Sequence, residues 1–180
     1  MSRWLLTGGA GYIGSHVAVE LLASGRDVVI VDDLSTGFAA RIADSAAFVE
    51  GSVQDTKLLA KVMRERDIDG VVHLAAKKAV GESVERPLYY YRENVEGVLA
   101  VLAAMNEAGV DKIVYSSSAA AYGEPAVGEV AEDEPTVPTS PYGETKLIGE
   151  WMVRAQAESQ RLAGSGLANV SLRYFNVAGA

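Results

Sequence analysis

The sequence contains no cysteine. That excludes a disulfide framework, thiol nucleophiles and thiolate-held metals, and it suits a reducing compartment. Histidine is scarce too, with two copies. His16 falls in a helical pattern and His73 among apolar strand residues, so neither is placed for catalysis, and no metal-ligand cluster can be assembled. Positive charge is in deficit: 16 Lys and Arg stand against 24 Asp and Glu, a net charge of −8, which argues against nucleic acid or an anionic membrane as partner. No apolar run approaches the ~20 residues of a membrane span. The N-terminus reads as a buried strand rather than a signal peptide, and the expected location is the cytoplasm. Internal repeats and low-complexity linkers are also missing. The 180 residues, 49% of them apolar, are enough for one domain with a real core. Trp4 and Trp151 read as packing residues.

Glycine, by contrast, is concentrated where it carries information. Thr7-Gly8-Gly9-Ala10-Gly11-Tyr12-Ile13-Gly14 follows the apolar run Trp4-Leu5-Leu6 and opens a helical pattern, the context a dinucleotide fingerprint requires. Gly8 permits a tight turn, Gly11 lets backbone approach a pyrophosphate, and Gly14 lets the helix pack closely. Amides at the helix start, Tyr12 and Ile13 included, then face the phosphates with the positive end of the helix dipole. A second strand, Val28 to Asp32, ends in Asp32-Asp33. Asp32 lies near the ~20-residue spacing expected for an acid that binds the adenosine ribose. Its charge would repel a 2′-phosphate, favouring NAD over NADP.

Further strands are expected at Ala47–Val49, Gly70–Ala76, Lys112–Ser118 and Val170–Phe175. Helices are expected at about Asp55–Arg66, Leu88–Glu107 (opening on Tyr89-Tyr90-Tyr91) and Tyr142–Leu162. Asp55 should cap the first of these. Residues 123–141 read as a loop whose acids Glu129, Glu132, Asp133 and Glu134 are solvated. Alternating strands and helices, with strands apolar on both faces, predict an α/β fold: a doubly wound parallel (Rossmann) sheet of order 3-2-1-4-5-6, with ligands outside the carboxyl ends of the strands.

On the last helix, Tyr142 and Lys146 are four apart and share a face. A free phenol, with a pKa near ~10, is a poor base, and a neighbouring ammonium is expected to lower that value. Such a tyrosine can take a proton from an alcohol while hydride leaves the same carbon.

Together TGGAGYIGSH, VDDLSTG, KAVGESVERP, SSSAAAYGE, SPYGETK and LRYFNVAGA resemble the extended short-chain dehydrogenase/reductase superfamily, and within it the UDP-glucose 4-epimerase family. The resemblance covers essentially the whole chain. It implies NAD-dependent interconversion of UDP-glucose and UDP-galactose through a 4-keto sugar. It further implies Tyr142 as base, Lys146 on the nicotinamide ribose and Ser118 on the sugar 4-oxygen. Lys78 would contact the cofactor, with Lys77 a solvated neighbour. Leu74, Ala75 and Ala76 would line the cofactor, and Asn94 would lie near the nicotinamide. Tyr174, Phe175 and Asn176 would begin the substrate pocket, and family members commonly pair through their two long helices. Val95, Val98, Leu99, Leu102 and Met105 form an apolar stripe that could serve such pairing or face the sheet.

Some positions depart from the family pattern. Ser52, followed by Val53 at the adenine end, stands where an aspartate is usual, at a cost of about 1 kcal/mol, and Asp55 is the candidate substitute. Ala120 replaces a threonine, and Arg92-Glu93 an acid-asparagine pair expected on an exposed turn. The chain ends at Ala180, where the family continues into a substrate-holding domain, so residues 1–180 are expected to be a truncated NAD-binding domain. Ala119 and Ala120 argue against a dehydratase, whose acid pair would stand there. Other nucleotide-sugar epimerases, and an NAD-binding module without turnover, remain as alternatives.

Overall fold

The computed structural model describes residues 2–125 and 128–178. Residues 126 and 127 of the 123–141 loop, and Ala180, lie outside the described residues. Strands β1 (Arg3–Thr7), β2 (Asp27–Asp32), β3 (Ala47–Glu50), β4 (Gly70–His73), β5 (Lys112–Ser118) and β6 (Ala168–Tyr174) form one sheet. Every pairing is parallel and the order is β3-β2-β1-β4-β5-β6, as the sequence pattern predicts. Runs such as Val28-Val29-Ile30-Val31 are buried throughout because helices cover both faces, so alternate residues of one strand enter opposite cores. Leu6, Val28, Ile30 and Val72 pack with Ala18 of helix α1 (Tyr12–Ala23). Leu5, Val29, Val31, Val71 and Ile113 pack with Leu59 and Met63 of α2 (Thr56–Glu65) and with residues of two later helices. The Asp55 side chain accepts from the Leu58 amide at 2.9 Å and caps α2 as expected.

The expected single helix at Leu88–Glu107 is divided. A short helix α3 (Val80–Glu85) precedes α4 (Pro87–Tyr90), a π-helical turn spans Tyr91–Glu96, and α5 (Gly97–Ala108) follows. Pro87 has no amide hydrogen and starts α4 at its first position, the one place in a helix where that loss is harmless. Tyr90 is fully buried; its hydroxyl accepts from the Ala79 amide (3.0 Å) and donates to Glu82 (2.8 Å). The wider π turn, a feature frequent at functional sites, carries Asn94 inward. Of the apolar stripe, Val98, Leu102 and Met105 enter the core while Leu99 is exposed. The stripe therefore chiefly serves the fold. Trp151, expected to pack, is 49% exposed. Strand β4 ends at His73, so Leu74–Ala76 is loop rather than strand.

Helix α6 (Pro141–Leu162) begins with Pro141 behind Ser140, whose side chain accepts from the Gly143 amide. It lies against β5 through a glycine contact. A Cβ on Gly149 would sit 2.1 Å from the hydroxyl oxygen of buried Tyr115, and that hydroxyl donates to the Lys146 carbonyl at 3.3 Å. Gly149→Ala should therefore lift α6 and lose about 1–3 kcal/mol of stability, the usual cost of overpacking. Urea denaturation would measure this, and an unchanged midpoint would show that the helix is free to slide.

Candidate active-site cleft

The carboxyl ends of the strands open onto a cleft of about 900 Å³. It lies where the chain leaves β1, the point at which successive crossovers turn to opposite faces. Its first wall is the glycine turn. Gly8 has φ +75°, and a Cβ there would lie 2.7 Å from the Ala75 amide. At Gly14 a Cβ would be 2.2 Å from the Gly8 carbonyl oxygen, whereas at Gly11 it would meet only that carbonyl, at 3.2 Å, with cleft beyond. Helix α1 has no side-chain cap, so its first amides, beside Tyr12 and Ile13 in the cleft wall, keep their hydrogens for a ligand.

Both Asp32 oxygens are used: one accepts from the Ala10 amide (3.0 Å), the other from the Leu34 amide (2.8 Å). The acid at the end of β2 thus braces the glycine turn as well as lining the cleft. It also holds Leu34 in a left-handed conformation (φ 56°). Asp33 accepts from the Ser35 amide at 2.9 Å. Burial raises its carboxyl, but the Ser35 hydrogen bonds and the Lys77 charge outweigh this and hold it below the usual range. Lys77, expected to be merely solvated, instead reaches across to the Ser35 hydroxyl at 2.9 Å. It lines the cleft together with Lys78, Val53, Leu74, Ala75 and Ala76.

At the other end stand Ser118 of β5, Tyr142 and Lys146 of α6, and Tyr174, Phe175 and Asn176 just after β6. Lys146 is 4% exposed. Its ammonium donates to the Ser116 carbonyl at 2.8 Å and lies 6.0 Å from the centre of the Tyr142 ring. Burial lowers it from 10.5 to about 8. The expected lowering of the Tyr142 phenol by this charge is not what the geometry produces. Burial raises the phenol above its ordinary value, and the opposing influence is a hydrogen bond with Ser118. The ammonium is turned to a backbone carbonyl instead.

Two residues expected at the cofactor do not line the cleft. The Ser52 hydroxyl accepts from the Gln54 amide at 3.2 Å, and Asp55, its candidate substitute, is committed to capping α2. Asn94 accepts from the Lys77 amide (2.8 Å) and donates to the Lys77 carbonyl (3.0 Å) and to Thr145 (2.9 Å). It joins the loop after β4 to α6. Glu93, expected on an exposed turn, is in the cleft wall, as are Ala119 and Ala120. Sequence reading missed Thr36, Gly37 and Arg41, which line the cleft with Asp32 and Asp33; the Ser35-Thr36-Gly37 run after the two acids was the signal for the first two.

His73 is core, as expected. It shares a 2.7 Å hydrogen bond with the Thr7 hydroxyl and stacks on Tyr115. Among the described residues no group of acids and histidines could hold a metal, and no helix is long and apolar enough to cross a membrane.

A parallel sheet of this order with a glycine turn at its switch point is a Rossmann-type nucleotide-binding domain. The NAD dependent epimerase/dehydratase family model matches residues 4–180, and the chain belongs to that family. Its relatives include the UDP-glucose 4-epimerase of Streptomyces lividans, 48% identical over 99% of this chain and 53% of that protein. The Lactobacillus helveticus UDP-glucose 4-epimerase is 47% identical over 98% and 52%. Among solved structures, UDP-glucose 4-epimerase from Brucella ovis in complex with NAD superposes with a TM-score of 0.93 at 41% identity, covering all of this chain and 54% of that one. The chain thus spans about half the length of the curated relatives it matches.

Burial, then the Lys146 charge, depresses His73 from 6.5 to about 3. The unfolded chain binds a proton here that the folded chain refuses between those values, so stability should fall as pH drops from 6.5 towards 3. The added slope is at most about 1.4 kcal/mol per pH unit. In His73→Gln this component should vanish, as equilibrium unfolding across the acid range would show. An unchanged slope would mean that the imidazole is protonated in the fold.

Proposed function

We propose that residues 1–180 form the NAD-binding domain of a UDP-hexose 4-epimerase interconverting UDP-glucose and UDP-galactose. The observation that carries this reading is the convergence of Tyr142, Lys146 and Ser118 on the cleft whose far end is the glycine turn and Asp32. The residues fit the cofactor: Gly8, Gly11 and Gly14 leave a backbone-lined cradle, and the uncapped start of α1 suits a diphosphate. Asp32 retains lone pairs for ribose hydroxyls and would repel a 2′-phosphate. Asp33 and Val53 border the adenine end, with Ser52 behind them, while Leu74, Ala75, Ala76 and Lys78 flank the middle. Asn94 supports that loop from behind.

Bound NAD supplies a reversible hydride acceptor. The Tyr142 oxygen takes the proton of the sugar 4-hydroxyl as C4 is oxidised, with the Ser118 hydroxyl as relay, and returns it when C4 is reduced from the opposite face. Only the ionised Tyr142 oxygen can take that proton; burial makes it the stronger base in the first step and the weaker acid in the second. The Lys146 ammonium orients ribose hydroxyls, and Tyr174, Phe175 and Asn176 begin the sugar-nucleotide pocket. Two long helices would pair protomers, with Leu99 and Trp151 offering exposed apolar contacts, and the cytoplasm is the setting. A second reading rests on the half-length match to relatives: the domain holds NAD but turns nothing over.

Adding UDP-galactose to the NAD-loaded chain separates the two. Reduced-nicotinamide absorbance and UDP-glucose formation support the epimerase, whereas NAD binding without either supports the second reading. In Tyr142→Phe, absorbance and turnover should fall by about 10²–10⁴-fold, the typical worth of a proton-transfer group, with NAD affinity unchanged. Retained turnover would remove Tyr142 from the mechanism. Gly11→Ala places a methyl in the cleft, so NAD should bind at least tenfold more weakly, about 1.4 kcal/mol. Calorimetric titration tests this, and wild-type affinity would move the diphosphate elsewhere.

A further inference from the structure

We infer that Glu150 is a positioning residue whose carboxylate, gripped by Arg173 and Ser117, sets the height of α6 against the strand ends and thereby the approach of Tyr142 to Ser118. What that approach is used for rests on the function proposed above.

Glu150 lies four positions beyond Lys146 and eight beyond Tyr142, so all three share one helix face. Arg173 holds both carboxylate oxygens, Nε to Oε1 at 2.9 Å and Nη2 to Oε2 at 2.8 Å, and the Ser117 hydroxyl donates to Oε1. Such a fork fixes direction as well as distance. Ser117 and Arg173 are paired across β5 and β6, and the next pair in the register is Ser118 with Tyr174, both in the cleft wall. The grip therefore sits one residue below the level of the proposed chemistry. It joins the helix carrying the phenol to the two strands carrying the hydroxyl and the start of the substrate pocket.

Arg173 also lies 4.6 Å from the centre of the Tyr122 ring and donates to the Glu132 carbonyl at 3.1 Å. The segment between β5 and α6 is thereby gathered onto the same group. With side chains 21% and 11% exposed, the pair is shielded from the solvent screening that makes surface pairs weak. Burial raises the Glu150 carboxyl, but the Arg173 and Ser117 hydrogen bonds outweigh it, and the Arg173 and Arg154 charges add to them; the group stays charged. Among the described residues, the other side-chain ties between α6 and the sheet at this level, Lys146 to Ser116 and Tyr115 to the Lys146 carbonyl, reach β5 alone.

The test needs no ligand. Tyr142 faces Ser118 from β5, Lys146 from its own helix and Tyr115 from the sheet. Only the first opposes the effect of burial, so a helix that drifts from Ser118 leaves a weaker acid. The ζ-carbon resonance of labelled tyrosine, assigned to residue 142 by its loss in Tyr142→Phe, is followed against pH in the full chain. In Glu150→Gln the transition should move up by about one unit, a tenfold fall in phenolate at fixed pH. Ser117→Ala, which removes a single hydrogen bond and keeps the ion pair, should move it less in the same direction. Arg173→Lys, a one-point contact in place of a fork, should fall between them. With NAD and UDP-galactose, kcat should drop by about 10²-fold at unchanged KM, the scale of a small misplacement. A lowered melting temperature with an unmoved Tyr142 transition in Ser117→Ala and Arg173→Lys would overturn the inference and leave the pair purely structural. A moved transition in a chain that shows no turnover would instead count against the epimerase reading and leave the positioning role standing.

Discussion

Three pieces of backbone meet at the glycine turn with no space for a side chain between them. The start of α1 rests on the Gly8 carbonyl through Gly14, and Gly8 rests on the loop after β4 at Ala75. Asp32 ties the same turn to the end of β2 through the Ala10 amide. A single added methyl at 8 or 14 would drive strand, helix and loop apart, and the cleft would lose its backbone-lined wall. The order of the sheet follows from the same junction, since the chain must leave β1 towards one face and return for β4 on the other.

At the opposite end the constraint is electrostatic. Lys146 is nearly sealed from water, so its charge survives through the Ser116 carbonyl and stays easily lost, with a pKa pushed to about 8. The same apolar surroundings keep His73 neutral and raise Tyr142. A site of this kind favours neutral forms until a ligand supplies compensating charge. The close approach of α6 to Tyr115 at Gly149 packs this end of the cleft.

Much of this was legible in the residues. Glycines 8, 11 and 14, the acids ending β2, and the Tyr142–Lys146 spacing are local patterns, read within one or two elements, and the structure brings them to one cleft. Apolar runs marked the six strands because a doubly covered parallel sheet leaves no polar alternation to confuse them. The break in the expected 88–107 helix was harder to see. Pro87 explains its start, but the π turn depends on where Asn94 finds its partners, Lys77 and Thr145, 17 and 51 positions away.

The sequence by itself determined the order of elements, the dinucleotide-type turn and the shared helix face of Tyr142 and Lys146, because each depends on neighbours within a few residues. Only the tertiary structure decided which way the Lys146 ammonium points, that Asn94 serves the scaffold, that Lys77 bridges to Ser35, and that Glu150 meets Arg173 and Ser117. Those outcomes depend on which side chains are brought together across the sheet and on how much water is left around them, and one-dimensional spacing encodes neither.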